Sequence, residues 1–166
     1  MGVKWRKNLD ITGRITAAAG ELNGRRVEVG PKGEENAKLA RIHEYGCRIT
    51  VKPNQRARLH RMGIHLKKST TQIVIPERSF LRTGHDMYID MIAEQAARMA
   101  ALALVGKMPA GDVLSKTGDG MANKIKNYMK NNISPPIASI TAQLKGSTRP
   151  LYDSGALIGS IGYEVV

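Results

Sequence analysis

The sequence predicts an α+β chain: a mixed or mainly antiparallel sheet packed by one long helix and several short helices, with a basic hairpin extension. Three observations carry this reading. Apolar and polar residues alternate over Arg25–Gly30 and again over Gly159–Val166, the period-two pattern of half-buried strands. Thr71–Ile75 is apolar and β-branched, and it is stopped by Pro76, which lacks a ladder donor and holds Ile75 extended. Asp86–Val105 then repeats apolar residues at helical spacing for about five turns. At 166 residues the chain suits one domain, 1–166, with residues 1–24 as an N-terminal segment and 52–72 as the basic extension.

Taken in order, Met1–Glu21 is basic at Lys4, Arg6 and Lys7 and leads into the Ala-rich Ile15–Leu22, a short helix closed by Gly24. The Arg25–Gly30 strand buries Val27 and Val29 and ends at Gly30-Pro31. Glu34–Tyr45 carries Ala37, Leu39, Ala40, Ile42 and His43 as a helical stripe stopped by Gly46. Cys47–Lys52 reads as a strand stopped by Pro53, and Asn54–Met62 as a helical turn or two. A hairpin is expected next, with Ile64–Lys68 and Gln72–Ile75 as its strands around Ser69-Thr70-Thr71.

Phe80, the only phenylalanine, falls where the sheet hands over to the long helix and is expected to anchor the core together with Leu81. Thr83 and Asp86 suit that helix's start. Tyr88, Met91, Ile92, Ala96, Met99 and Leu102 make one face, while Asp86, Asp90, Glu94 and Arg98 recur opposite. The last turns, Met99–Val105, are apolar all round, which points to a covering surface from the same domain or from a neighbouring subunit, with Met99, Leu102, Leu104 and Val105 as its contacts. Ala110–Asn131 resumes the helix with an interruption at Gly118-Asp119-Gly120 and a buried stripe of Met121, Ile125, Tyr128 and Met129. Ser134-Pro135-Pro136 ends it. Ile137, Ile140 and Leu144 form a short helix closed by Gly146, Asp153 caps a single helical turn, and Gly159–Val166 is the final strand.

Aromatic residues make up 4% of the chain against 42% hydrophobic, so the core must be built from Ile, Leu, Val, Ala and Met. The single Cys47 excludes an intrachain disulfide framework. No stretch approaches the roughly 20 apolar residues of a membrane span, and the N-terminal residues lack the apolar core of a signal peptide. The net charge of +12 implies attraction to polyanions, with nucleic acid the obvious class. It is concentrated between Arg41 and Lys68, where Arg41, Arg48, Lys52, Arg56, Arg58, Arg61, Lys67 and Lys68 face Glu44 alone. Either this is a solvated face or Arg56, Arg58, Arg61, Lys67 and Lys68 contact phosphates or a partner without reading base sequence, since no aromatic residues interleave them.

Catalytic and metal chemistry find no footing. There is no phosphate loop, no nucleophile elbow and no His-Glu-x-x-His. His60, His65 and Cys47 lack the paired ligand spacing of zinc sites and sit among cations, and Cys47 with His43 reads as packing and not as a nucleophile and base. The expectation is a protein that is not an enzyme and carries no cofactor.

Three blocks, LARIHEYG at Leu39–Gly46, IPERSFLR at Ile75–Arg82 and PLYDSGALIGSIGYEV at Pro150–Val165, stand in an order and spacing that resemble the neck and tail-completion proteins of tailed bacteriophages, the virion-morphogenesis and minor-tail group. Ser134-Pro135-Pro136 and Lys145-Gly146 precede the third block. The family commonly shows Pro-Phe where this chain has Ser79-Phe80. The resemblance implies an α+β subunit of a homo-oligomeric ring, usually six-fold, that completes the tail or joins head to tail around the DNA channel. It implies no catalysis, other neck, connector and tail proteins as partners, and a place in the virion after assembly in the host cytoplasm. A tail-terminator ring protein of the same virion and a non-specific nucleic-acid-binding protein are the alternatives.

Overall fold

The computed structural model describes residues 11–131 and 133–166. Along the chain run α1 (Ile11–Leu22), β1 (Val27–Pro31), α2 (Glu34–Tyr45), β2 (Cys47–Thr50), α3 (Pro53–Arg61), β3 (Gln72–Ile75), α4 (Leu81–Leu104), α5 (Ala110–Asn131), α6 (Ser139–Lys145), α7 (Ala156–Ser160) and β4 (Ile161–Val165). The class is α+β, with two small antiparallel two-stranded sheets, β1 with β4 and β2 with β3, in place of one larger sheet. The basic Lys4, Arg6 and Lys7 lie outside the described residues.

The chain forms two compact units. One takes the described part of Met1–Val29 with Met87–Lys124 and Gly162–Val166; the other takes Gly30–Asp86 and Ile125–Ile161.

In the first unit, Ala18 of α1, Ala103 of α4, Ala110 and Val113 of α5 form a small-residue core, with Leu22, Met99, Ala100, Leu104 and Met108 packed against it. Arg26 and Val166 exchange backbone hydrogen bonds of 2.7 and 2.9 Å, fixing the antiparallel sense of β1 and β4. The expected interruption at Gly118-Asp119-Gly120 does not occur: α5 runs through it. Glycine stands at 118 because a Cβ there would lie 2.5 Å from the Tyr163 ring and 2.8 Å from Val27. Close packing of the helix on its sheet, and not a break, explains the residue.

In the second unit, Phe80 is 0% exposed and packs in a core that includes Met129, Ile125, Tyr128, Leu157, Ile158 and Ile161. The anchor and the α5 stripe are therefore as the helical period required. Cys47 pairs with Ile75, Arg48 with Val74, Ile49 with Ile73 and Thr50 with Gln72. This corrects the expected hairpin, because Ile64–Lys68 forms no strand and β3 reaches past it to β2. The turn Ser69-Thr70-Thr71 offers none of the glycine or asparagine that tight hairpins need, whereas the β2 ladder sets Ile49 opposite Ile73. The basic extension is thus a helix and loop inserted between paired strands.

Three helix starts also differ from expectation, the first being α1, which begins at Ile11 and not at Ile15. The long helix begins at Leu81, not at Asp86, for a reason given below. Gly155, at φ 82°, precedes α7 with no side-chain cap on the helix, so Asp153 is not the cap. Ser154 Oγ instead accepts a 3.3 Å bond from the Ala156 N–H. The side chains of Ile140 and Leu144 lie outside the described residues.

Candidate functional site

Helix α2 delivers its chemistry through a residue that periodicity assigned to no face. Glu44 is 3% exposed, while Leu39, placed on the expected apolar stripe, is exposed. A buried carboxylate is costly unless hydrogen-bonded throughout, and Glu44 is. Its Oε2 accepts from the backbone N–H groups of Phe80 (2.9 Å) and Leu81 (3.0 Å). Its Oε1 accepts from the Ser79 hydroxyl (2.6 Å), the Arg82 N–H (3.0 Å) and Arg82 Nε (3.1 Å). These are the orphan donors of the first turn of α4, so a carboxylate distant in sequence caps the helix at its positive end. That is why the helix starts five residues before Asp86. Burial pushes the Glu44 carboxyl up, but the Ser79 hydroxyl and the Arg82, Leu81 and Phe80 N–H groups together hold it below its ordinary value.

Arg82 completes the junction. Its Nη2 donates to the Glu44 carbonyl (2.9 Å) and to Glu77 Oε1 (2.7 Å), and its guanidinium lies 4.8 Å from the centre of the Tyr45 ring. The hydrogen bond to Glu44 raises its pKa.

Arg78 behaves differently. It is 5% exposed, its N–H donates to the His43 carbonyl (2.7 Å), and its Nε and Nη2 donate to the carbonyls of Pro135 (2.7 Å) and Pro136 (3.0 Å). Burial lowers its pKa. Among the described residues no carboxylate forms an ion pair with it. It borders a cleft of about 520 Å³ whose walls are Leu39, His43, Ile73–Pro76, Ile137, Ala138, Thr141, Leu151 and Asp153–Leu157. The first two sequence blocks, the proline break, and Pro150–Ile161 of the third block thus fall in this unit.

The basic segment divides by role. Arg56 is no free cation: its Nη1 donates to the carbonyls of Leu66 (3.2 Å) and Lys67 (3.0 Å), and its Nη2 to that of Thr70 (2.6 Å). It staples the 64–70 loop onto α3. Pro53 at the first turn and the Lys52 N–H donating to Gln55 Oε1 (3.0 Å) start that helix. Arg58, Arg61, Lys67 and Lys68 are exposed, and the His60 and His65 rings meet edge to face at 4.5 Å. Among the described residues no group of three or more His, Cys, Asp or Glu side chains is placed to hold a metal ion.

The four residues at the end of the long helix also separate. Met99 and Leu104 are half-buried against Ala18, Ala103, Ala110 and Val113 of their own unit. Leu102 and Val105 are 44% and 56% exposed. No helix among the described residues is long and apolar enough to cross a membrane.

Sequence reasoning missed Glu44 and Arg78. One signal for Glu44 was there, the single acid in a long basic stretch. None marked Arg78, whose partners are carbonyls far along the chain. No protein-family model matches the chain, and no curated protein and no solved structure is significantly similar to it.

Proposed function

We propose that this chain is a structural virion protein of a tailed bacteriophage, a tail-completion or head-to-tail joining subunit that assembles as a ring around the DNA channel. The observation that carries the reading is the meeting of the first two blocks and Pro150–Ile161 of the third in one unit. Glu44, from the first, caps the helix that opens in the second, and Leu151 and Asp153–Leu157, from the third, share a cleft with His43 and Arg78. A likeness spread over three short stretches weighs more when they build one piece of structure.

The exposed Arg58, Arg61, Lys67 and Lys68 suit this role, because cations on an inserted arm attract phosphates without selecting sequence and let a duplex slide past. Leu102 and Val105 supply exposed apolar surface for contact between copies. A tail-terminator ring of the same virion rests on the same features.

Quantitative mass spectrometry of purified virions from the phage or prophage that encodes the chain tests the reading. The chain should be present in a small, fixed number of copies per particle, and its deletion should leave unjoined heads and tails. Absence from virions, with normal particles after deletion, would overturn it. The exposed cations also favour a second reading, a free non-specific nucleic-acid-binding protein, which requires the monomer to retain duplex DNA at physiological salt.

A further inference from the structure

We propose that the outer edge of β3 and the cleft beside it bind an extended peptide strand from a partner protein, with an acidic side chain or terminal carboxylate of that strand paired to Arg78. The inference does not depend on the neck reading and would hold for any partner of this chemistry.

The geometry of the edge comes first. Val51 donates to the Thr71 carbonyl at 2.8 Å, so that pair is hydrogen-bonded, and ladder alternation makes the Ile49–Ile73 and Cys47–Ile75 pairs hydrogen-bonded too. Gln72 and Val74 therefore turn their N–H and C=O groups away from β2. Among the described residues these groups have no backbone partner, and β3 has no neighbour on that side. The cleft runs along this edge. Ile73, Val74 and Ile75 point alternately to opposite faces, so a cleft bordered by all three must lie at the strand's side, and no β2 residue lines it. Ile137 and Ala138 add apolar lining to it. An unpaired strand edge beside an apolar wall is the arrangement that strand addition uses, with backbone bonds for affinity and alternate side chains for selection. Pro76, without an N–H, ends the ladder.

The charge identifies the occupant. Arg78 borders the same cleft, and among the described residues its Nη1 makes no hydrogen bond while Nε and Nη2 hold the Pro135 and Pro136 carbonyls. Buried arginines are normally matched by a carboxylate. Asp153, the other charged residue lining the cleft, is exposed and makes no ion pair with Arg78 among the described residues. An incoming strand that carries a carboxylate between apolar residues satisfies the edge, the wall and the guanidinium together.

Selection of a random octapeptide display library on the full chain, followed by titration of the enriched peptides, tests this. Enriched sequences should alternate apolar residues with Asp or Glu, or end in a free carboxylate. Their affinity should fall by roughly tenfold or more when that acid is changed to its amide or the terminus is amidated. Val74→Pro should abolish binding while leaving the melting temperature nearly unchanged, because the Val74 N–H takes no part in the β2 ladder and its side chain is 59% exposed. A library that yields no binder, binders indifferent to Val74→Pro, or binders indifferent to loss of the acid would each overturn the proposal.

Discussion

Glu44 gathers more of the second unit's order than any other side chain, since five donors from Ser79 to Arg82 converge on its two oxygens. Replacing it by Gln keeps the size but removes the charge and turns one acceptor into a donor facing N–H groups. The expected cost is about 1.5–3 kcal/mol, the range for hydrogen bonds to a charged group, measured by urea unfolding near neutral pH. The acid limb gives an independent check. The folded pKa lies below the unfolded value of about 4.3, so the unfolded chain binds more protons between the two. The stabilisation is complete above the unfolded value and is lost as pH falls through the folded one. Wild-type stability should decline through that window more steeply than that of Glu44→Gln. Phe80→Ala, by contrast, should cost about 3–5 kcal/mol at any pH, the usual loss for a fully buried ring.

Helix α5 and the arm around α3 show how neighbours decide what a sequence pattern means. Gly118 has the look of a helix break, yet its role is to let the Tyr163 ring approach. Gly118→Ala gains about 1 kcal/mol of helix propensity and meets overpacking of about 1–3 kcal/mol, so its melting temperature should fall. In the arm, Arg56→Gln should free the 64–70 loop and speed its amide exchange and proteolysis, whereas Arg58→Gln and Arg61→Gln should leave both unchanged. The long helix and the Met121, Ile125, Tyr128 and Met129 stripe were legible because period and burial agree within one element, whereas α2 was legible as a helix but not in its buried face, where Leu39 is exposed and Glu44 buried. The Glu44 cap, the Arg78 bridge to Pro135 and Pro136, and the β2–β3 pairing were not, because each depends on what a distant segment brings opposite. Local alternation at Ile64–Lys68 mimicked a strand for the same reason.

Across the whole molecule the charge of +12 sets how it meets polyanions. Under the proposed role beside a DNA channel, binding to duplex DNA should be measurable and should weaken with salt, each phosphate contact adding about 0.9 to the slope of log affinity against log salt. Changing Arg58, Arg61, Lys67 and Lys68 together to Gln should lower that slope while circular dichroism stays the same. An unchanged slope would move the contact elsewhere on the surface. The pairing of β1 with β4 has a consequence for synthesis. Strand β1 leaves the ribosome early, and its partner emerges only after α7, so the nascent chain carries an unmatched β1 for most of translation. Both units also draw on segments from early and late in the chain, so neither can complete its packing until the segment around β4 has been made. Nascent chains stalled before α7 should be cut by protease where the released protein resists.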